Sequence, residues 1–203
     1  MRRLPRRPRQ RGFNLIELMV VIAILGLLLA AGLPIVSEGI RDSRLRSAAE
    51  SLVTGLRVAQ SEALKRNSVF RFQLMTSLTS GCALNVNGPV WVASMENATG
   101  KCEVSDYETS PFPIRRDGTL STGDVTVTAD GNGAVCFSGI GRPTSAPAGC
   151  NATLAEMIDI KPASGACKAD GGDARCLRVL VSATGTIRMC DPAVTSAQDP
   201  RIC

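Results

Sequence analysis

The stretch Phe13-Asn14-Leu15-Ile16-Glu17-Leu18-Met19-Val20-Val21-Ile22-Ala23-Ile24-Leu25-Gly26-Leu27-Leu28-Leu29-Ala30-Ala31-Gly32-Leu33 decides how the rest of the chain is read. Its 21 residues carry one charge, Glu17, and one strongly polar neutral side chain, Asn14. As a helix it extends about 30 Å at roughly 1.5 Å per residue, enough to cross a bilayer's hydrocarbon core. Working outward, Arg2, Arg3, Arg6, Arg7, Arg9 and Arg11 precede it, and Pro5 and Pro8 keep residues 1–12 from forming a stable helix. Positive charge before the apolar run and none inside it sets an orientation: N-terminus cytoplasmic, the remainder exported.

A length of 203 residues predicts one domain, or one domain plus an appendage. With 44% hydrophobic and 20% charged residues, wholesale disorder is excluded. Histidine is absent, which removes Ser-His-Asp and Cys-His catalysis and every His-ligated metal site. The net charge of +5 sits in the leader; without those six arginines, 17 basic residues face 18 acidic ones. Eight cysteines, all from Cys82 onward and with no Cys-x-x-Cys pair, point to disulfides in an oxidising compartment. That agrees with export.

Two readings of the apolar run compete. One is a disposable signal peptide, cut near Ala30, Ala31 and Gly32. The other is a retained membrane helix. A carboxylate within a membrane helix costs about 2.5–3.5 kcal/mol, so it normally has a partner and a task. A disposable segment gains nothing from Glu17, and the retained helix is favoured.

Gly12-Phe13-Asn14-Leu15-Ile16-Glu17-Leu18-Met19-Val20-Val21 resembles the class III leader junction of type IV pilins and type II secretion pseudopilins. Asn14 departs from the commoner Ser or Thr. The resemblance implies that a prepilin peptidase cuts after Gly12 and that the new N-terminal Phe13 is N-methylated. It also implies that Glu17 acts in assembly. The mature amine of Phe13 and the carboxylate of Glu17 lie at one end of the same helix. In a filament, Glu17 would neutralise a neighbour's amine, and a pair desolvated together avoids the cost of two lone charges.

Beyond the apolar run, Pro34 predicts a kink or local break. Past Gly39 the pattern turns amphipathic: Leu45, Ala49, Leu52, Leu56, Ala59 and Ala63 recur at three- and four-residue spacing between charged positions. Asn67 is a natural helix end. Residues 13–66 as one helix would measure about 80 Å.

The remainder reads as β structure. Val69–Leu74 alternates, with Phe70, Phe72 and Leu74 on one face. Further strands are expected at Val90–Met95, Asp124–Ala129, Ala134–Ser138, Glu156–Ile160, Leu177–Ser182 and Thr186–Cys190. The last two flank a hairpin turn at Ala183-Thr184-Gly185. Residues 77–89, 111–118, 139–149 and 163–173, rich in Gly and Pro, read as loops. Strands gathered after one helix predict an α+β fold, an antiparallel sheet wrapped on that helix. Leu180–Pro192 with Asp199-Pro200-Arg201-Ile202-Cys203 is similar to the C-terminus of GspH/FimT-type minor pilins. That resemblance implies a pilin fold, the N-terminal half of its helix transmembrane.

Catalytic motifs are missing: no Ser-x-x-Lys, no Walker loop, no Gly-x-Gly-x-x-Gly. No enzyme, cofactor or metal site is expected. Cys82, Cys102, Cys136, Cys150, Cys167, Cys176, Cys190 and Cys203 admit roughly a hundred pairings. Cys190 with Cys203 is the expected closure of the tail, across a loop containing Pro192 and Pro200. Some FimT-like proteins bind DNA through arginines after the last hairpin. Here Arg188 stands in that place, with Arg178 and Arg201 as candidates to join it. Phosphate binding scales with the number of basic contacts, and so few disfavour DNA as a ligand.

The expected organisation is a cleaved leader over 1–12, a long helix over 13–66 that spans the membrane at about 13–33, and an exported disulfide-rich β domain over 67–203. The expected function is a minor pilin that primes or caps a type IV pilus. Its partners would be a prepilin peptidase, other minor pilins, the major pilin and the bacterial inner membrane. A GspH-type pseudopilin of type II secretion is the alternative, and a DNA-binding minor pilin for transformation a third reading.

Overall fold

The computed structural model describes residues 14–118, 120, 123–151 and 156–203; the side chains of residues 29–38 lie outside that description. The chain divides into two compact units, residues 1–40 and 41–203. The leader, with Gly12, and Phe13 fall outside the described residues.

In the first unit, α1 (Leu15–Arg66) starts with the Leu18 N–H donating to the Asn14 carbonyl at 3.2 Å. The helical assignment passes through Pro34, where the sequence predicted a kink or break. Large apolar side chains from Leu15 to Leu28 are 53–73% exposed, on every face of the helix. Among the described residues no helix is long and apolar enough to cross a membrane. The expected span of about 13–33 starts outside those residues, and the side chains of its last five positions, 29–33, lie outside the description.

The second unit holds the rest of α1 and eight strands. The predicted stripe is the buried face: Leu45, Ala49, Leu52, Leu56, Ala59 and Ala63 are all 0–1% exposed, with Ala48 beside them. The helix ends on a left-handed Asn67 (φ 46°). The Ser68 N–H reaches back to the Ala63 carbonyl and the Asn67 N–H to that of Leu64, which satisfies two carbonyls of the last turn.

The strands are β1 (Phe70–Met75), β2 (Val90–Ser94), β3 (Pro113–Asp117), β4 (Val125–Ala129), β5 (Ala134–Phe137), β6 (Glu156–Pro162), β7 (Leu177–Val181) and β8 (Ile187–Cys190). They form two four-stranded antiparallel sheets, ordered β3-β2-β1-β5 and β4-β6-β7-β8. The single sheet expected from the sequence is corrected to two. Also corrected is residues 111–118 as a loop: Pro113–Asp117 is an edge strand, where a first-position Pro costs no ladder hydrogen bond.

One apolar cluster joins the helix stripe to Phe70, Phe72, Leu74 and Trp91 of the first sheet and to Val127, Ile158, Ile160, Val179 and Val181 of the second. The other face of the first sheet is covered as well. Arg71 and Gln73, which alternate with Phe70, Phe72 and Leu74, are 7% and 1% exposed. Residues 76–89 and 95–112 fold over the sheet around a small core of Met75, Cys82, Val90, Val92, Ala98 and Cys102. Gln73 is satisfied there: its Nε2 donates to Asn97 at 2.9 Å and its Oε1 accepts from the Ala98 N–H at 2.9 Å.

Gly55 permits the closest approach of helix and sheet. A Cβ at this position would lie 2.7 Å from the Phe72 ring and 2.9 Å from the Trp91 ring. Alongside, the Trp91 indole N–H donates to Ser51 Oγ at 2.9 Å, and the Ser51 hydroxyl donates to Asp117 at 2.7 Å. Helix, β2 and β3 are thereby fixed in register. Gly55→Val should force these rings apart and cost about 1–3 kcal/mol, the usual range for an overpacked core. The helix-propensity gain over Gly, roughly a few tenths of a kcal/mol, is too small to offset this. Chemical denaturation should show a lowered midpoint, whereas Gly39→Ala, with nothing within 4 Å of the added carbon, should not lower it.

Candidate functional site

The first group of expected site residues lies at the start of α1. Glu17 occupies its first turn, where a carboxylate opposes the positive end of the helix dipole. It is exposed, as are Leu15, Ile16, Leu18, Met19 and Val20 around it. A helix that is apolar all round demands an apolar environment. Gly12 and Phe13, the expected processing residues, fall outside the described residues.

The second group is the cysteines. All eight are paired: Cys82–Cys102, Cys136–Cys150, Cys167–Cys176 and Cys190–Cys203. Each bridge closes a local loop of 9 to 20 residues. Among the described residues no group of three or more Cys, Asp or Glu is placed to hold a metal.

The third group is Arg178, Arg188 and Arg201. Strand register sets Arg178 opposite Cys190 and Leu180 opposite Arg188, so Arg178 and Arg188 share one face of the second sheet. Each has an internal partner. Arg178 forms a two-pronged pair with Asp159 on β6, at 2.6 and 3.1 Å, and that hydrogen bond raises its pKa. Arg188 donates to the carbonyls of Ile202 at 2.9 Å and Cys203 at 2.7 Å, so it holds the tail against β8. Arg201 forks onto Asp199 at 3.0 and 2.7 Å, and this hydrogen bonding draws the Asp199 carboxyl down to about 2. The tail is further fixed by the Asp191 N–H donating to the Arg201 carbonyl at 2.8 Å.

This tail walls a cleft of about 190 Å³ that sequence reasoning did not find. Leu45, Leu177 and Met189 form its apolar part, and Arg46, Arg175, Arg201, Asp42 and Asp191 its polar part. Arg46 is engaged by Glu50 at 2.8 Å and Arg175 by Asp191 at 3.4 Å. These residues come from three distant stretches of chain, so no local motif marks them.

Gln60 organises the opposite end of the helix stripe. Its Nε2 donates to the carbonyls of Gly141 at 2.8 Å and Gly185 at 2.7 Å. One side chain thus joins the loop after β5 to the β7–β8 hairpin. Gly185 has φ 91°, and a Cβ there would stand 2.4 Å from the Gly141 carbonyl oxygen. The hairpin glycine noted in the sequence is needed for both reasons.

Comparison with known proteins places residues 48–185 in the family described as Type II transport protein GspH. Residues 7–33 match the prokaryotic N-terminal methylation motif. The chain is 38% identical over 78 residues to the pilin-like protein PilA1 of Thermus thermophilus, covering 38% of this chain and 49% of the relative. It is 36% identical over 91 residues to the fimbrial protein EcpC of Eikenella corrodens, covering 45% and 57%. The chain thus spans about half the length of the curated relatives it matches. Among solved structures, the Pseudomonas aeruginosa type IV minor pilin FimU aligns with TM-score 0.48 at 19% identity, over 77% of this chain and 95% of that one. Escherichia coli GspH aligns with TM-score 0.43 at 13% identity, over 81% and 96%.

Phosphate would have to compete with the internal partners that each of the three arginines already has. Full-length protein titrated with duplex DNA at moderate salt should therefore bind more weakly than micromolar, with a shallow salt dependence. Arg188→Ala should leave that affinity unchanged while speeding amide exchange in the tail. Sub-micromolar binding abolished by Arg188→Ala would reverse this reading.

Proposed function

The chain belongs to the GspH family, and from that membership we propose that it is a structural subunit of a type IV filament, a minor pilin that primes or caps assembly. The observation that carries the proposal is the presence of an N-terminal methylation motif and a GspH-family region in one chain. The first is the mark of a processed, membrane-seated helix. The second is the domain that helix would carry outward.

In this reading the leader over residues 1–12 stays on the cytoplasmic side until a prepilin peptidase cuts after Gly12, and Phe13 becomes the N-methylated terminus. Residues 13–33 seat the protein in the inner membrane. The disulfide-rich domain, up to residue 203, faces the periplasm, where its cysteines oxidise. Other minor pilins and the major pilin then cover the apolar helix surface between Leu15 and Leu28. Glu17 supplies the carboxylate for a neighbour's Phe13 amine. In a low-dielectric bundle an unpaired amine would cost several kcal/mol. The protein acts by assembly and not by catalysis.

A second reading, a pseudopilin of type II secretion, is supported by the description of the matched family itself. The names of the curated relatives, a pilin-like and a fimbrial protein, support the first. Deletion separates them: loss of surface filaments belongs to the first reading, loss of secreted enzymes with filaments intact to the second.

Two substitutions test the role of the N-terminal segment. Glu17→Val should be made, inserted and cleaved, because removing the carboxylate eases insertion and touches no core residue of the second unit. It should then remain in the membrane fraction and be absent from sheared filaments on immunoblots. Gly12→Val should stop one step earlier, leaving the leader attached as a heavier band. Normal entry of Glu17→Val into filaments would refute the charge pairing.

A further inference from the structure

Glu156 opens β6, opposite Val181 of β7, and is only 3% exposed. Its Oε2 accepts a hydrogen bond from the Asn151 side-chain amide, while Oε1 has no hydrogen-bond partner among the described residues. Among the described residues, Val135 and Cys136 of β5, Pro143 and Thr144 of the following loop, and Val181 line its surroundings. The void they leave is about 10 Å³, room for at most one water. β5 is the edge of the first sheet, whereas β6 and β7 belong to the second. The acid therefore sits in the seam between the two sheets, beneath the loop that Cys136–Cys150 pins.

Among the described residues no cation compensates it. The charged group acting on Glu156 is Asp130, just past β4, and its field opposes ionisation. Arg71 on β1, next to β5, directs its guanidinium to the Ala148 carbonyl at 3.1 Å and feels Glu96. Farther along β6 and β7, Asp159 and Arg178 neutralise each other. The faces from β5, the loop and β7 contribute apolar groups, a hydroxyl, an amide and a disulfide. An isolated carboxylate cannot remain both charged and dry in such a place: it keeps its proton or the site opens to water.

We propose that Glu156 is a proton-operated latch on the seam between the two sheets. With the proton on, the carboxyl is neutral, Asn151 serves it and the seam is closed. When the proton leaves to solvent, the carboxylate draws water into the void and loosens the 138–151 loop from β6. Burial, with Asp130 adding to it and the Asn151 hydrogen bond opposing it, pushes the carboxyl from an ordinary 4.5 up to about 7. Between those two pH values the folded state holds a proton that the unfolded state has released. Closure is therefore strongest below about 4.5, weakens as pH rises through about 7, and levels off above it. The full span of that shift corresponds to about 300-fold in the closing equilibrium.

Carbon-13 carboxyl NMR of the full-length protein in detergent reads the Glu156 titration directly, with a midpoint near 7 expected. Hydrogen exchange at pH 5.5 and 8.5, corrected for intrinsic rates, should show amides of β5, the 138–151 loop and β6 losing protection at the higher pH by up to about 30-fold, the part of the span that remains above pH 5.5. Glu156→Gln should keep the same protection at both. A native midpoint below 5, or an unchanged pH dependence in Glu156→Gln, would overturn the proposal. Should that variant fail to fold, Asp130→Asn replaces it: the midpoint of Glu156 should fall, and an unmoved midpoint counts against the latch.

Discussion

Contact between one helix face and two sheets is the constraint on which the second unit depends. The stripe from Leu45 to Ala63 alternates large and small: leucines at 45, 52 and 56 fill volume, and Ala48, Ala49, Gly55, Ala59 and Ala63 admit what lies above them. Phe72 and Trp91, with ring centroids 5.5 Å apart, descend over Gly55 where no side chain blocks them. Each fully buried leucine or aromatic contributes roughly 1.5–3 kcal/mol. That total is realised only when both sheets are seated at once, since the same stripe serves both. Gln60 and Ser51 add direction to this adhesion. They fix which loops and strands meet the helix, where hydrophobic burial alone would accept small slips of register.

The helix stripe was readable from the sequence because burial follows a period of 3.6, and all six of its predicted positions are buried. The strand positions were readable wherever one face was apolar and turns flanked the run, as in Val125–Ala129 and Leu177–Val181. Pro113–Asp117 was not, because Pro-Ile-Arg-Arg-Asp carries the composition of a loop. It is a strand only because β2 offers a free edge and Arg116 can donate to the carbonyls of Cys102 and Glu103. The division into two sheets was equally hidden, since it depends on which strands pair across long loops. Of the candidate site, the arginines on the second sheet were visible as residues, but their partners were not. Asp159 reaches Arg178 only through strand register, and Arg188 meets the tail beside the Cys190–Cys203 bridge, 14 and 15 residues along the chain.

Polar burial and disulfides answer a common difficulty. Strands of four to seven residues leave long loops, and loops are costly to order. Each bridge closes a loop of 9 to 20 residues and stabilises it by about 2–4 kcal/mol in the chain-entropy account. Folding such loops down over a sheet brings polar side chains inside with them. Gln73 is fully paired by the loop that covers it. Arg71 is served at one nitrogen, while its Nε finds no partner among the described residues. Glu156 is the extreme case, buried at a seam with one amide for company. The outer face of the second sheet avoids the difficulty by being left partly to water, where Asp159 and Arg178 pair.

The two halves of α1 obey opposite rules. From Arg41 onward the helix is amphipathic, and its apolar face is consumed inside its own unit. From Leu15 to Leu28 it is apolar on every side, with more than half of each large side chain exposed. Surface of that kind is not tolerated in water; it must be covered by lipid or by other apolar helices. Every buried core residue among those described lies at or beyond Leu45. Substitutions in the first stretch therefore act on what lies outside the chain, and substitutions in the second act on whether the chain folds. The folded core of the second unit thus draws on one segment of the helix and leaves the other uncovered. The carboxylate of Glu17 stands in that uncovered segment, exposed in the first turn of the helix and outside the folded core.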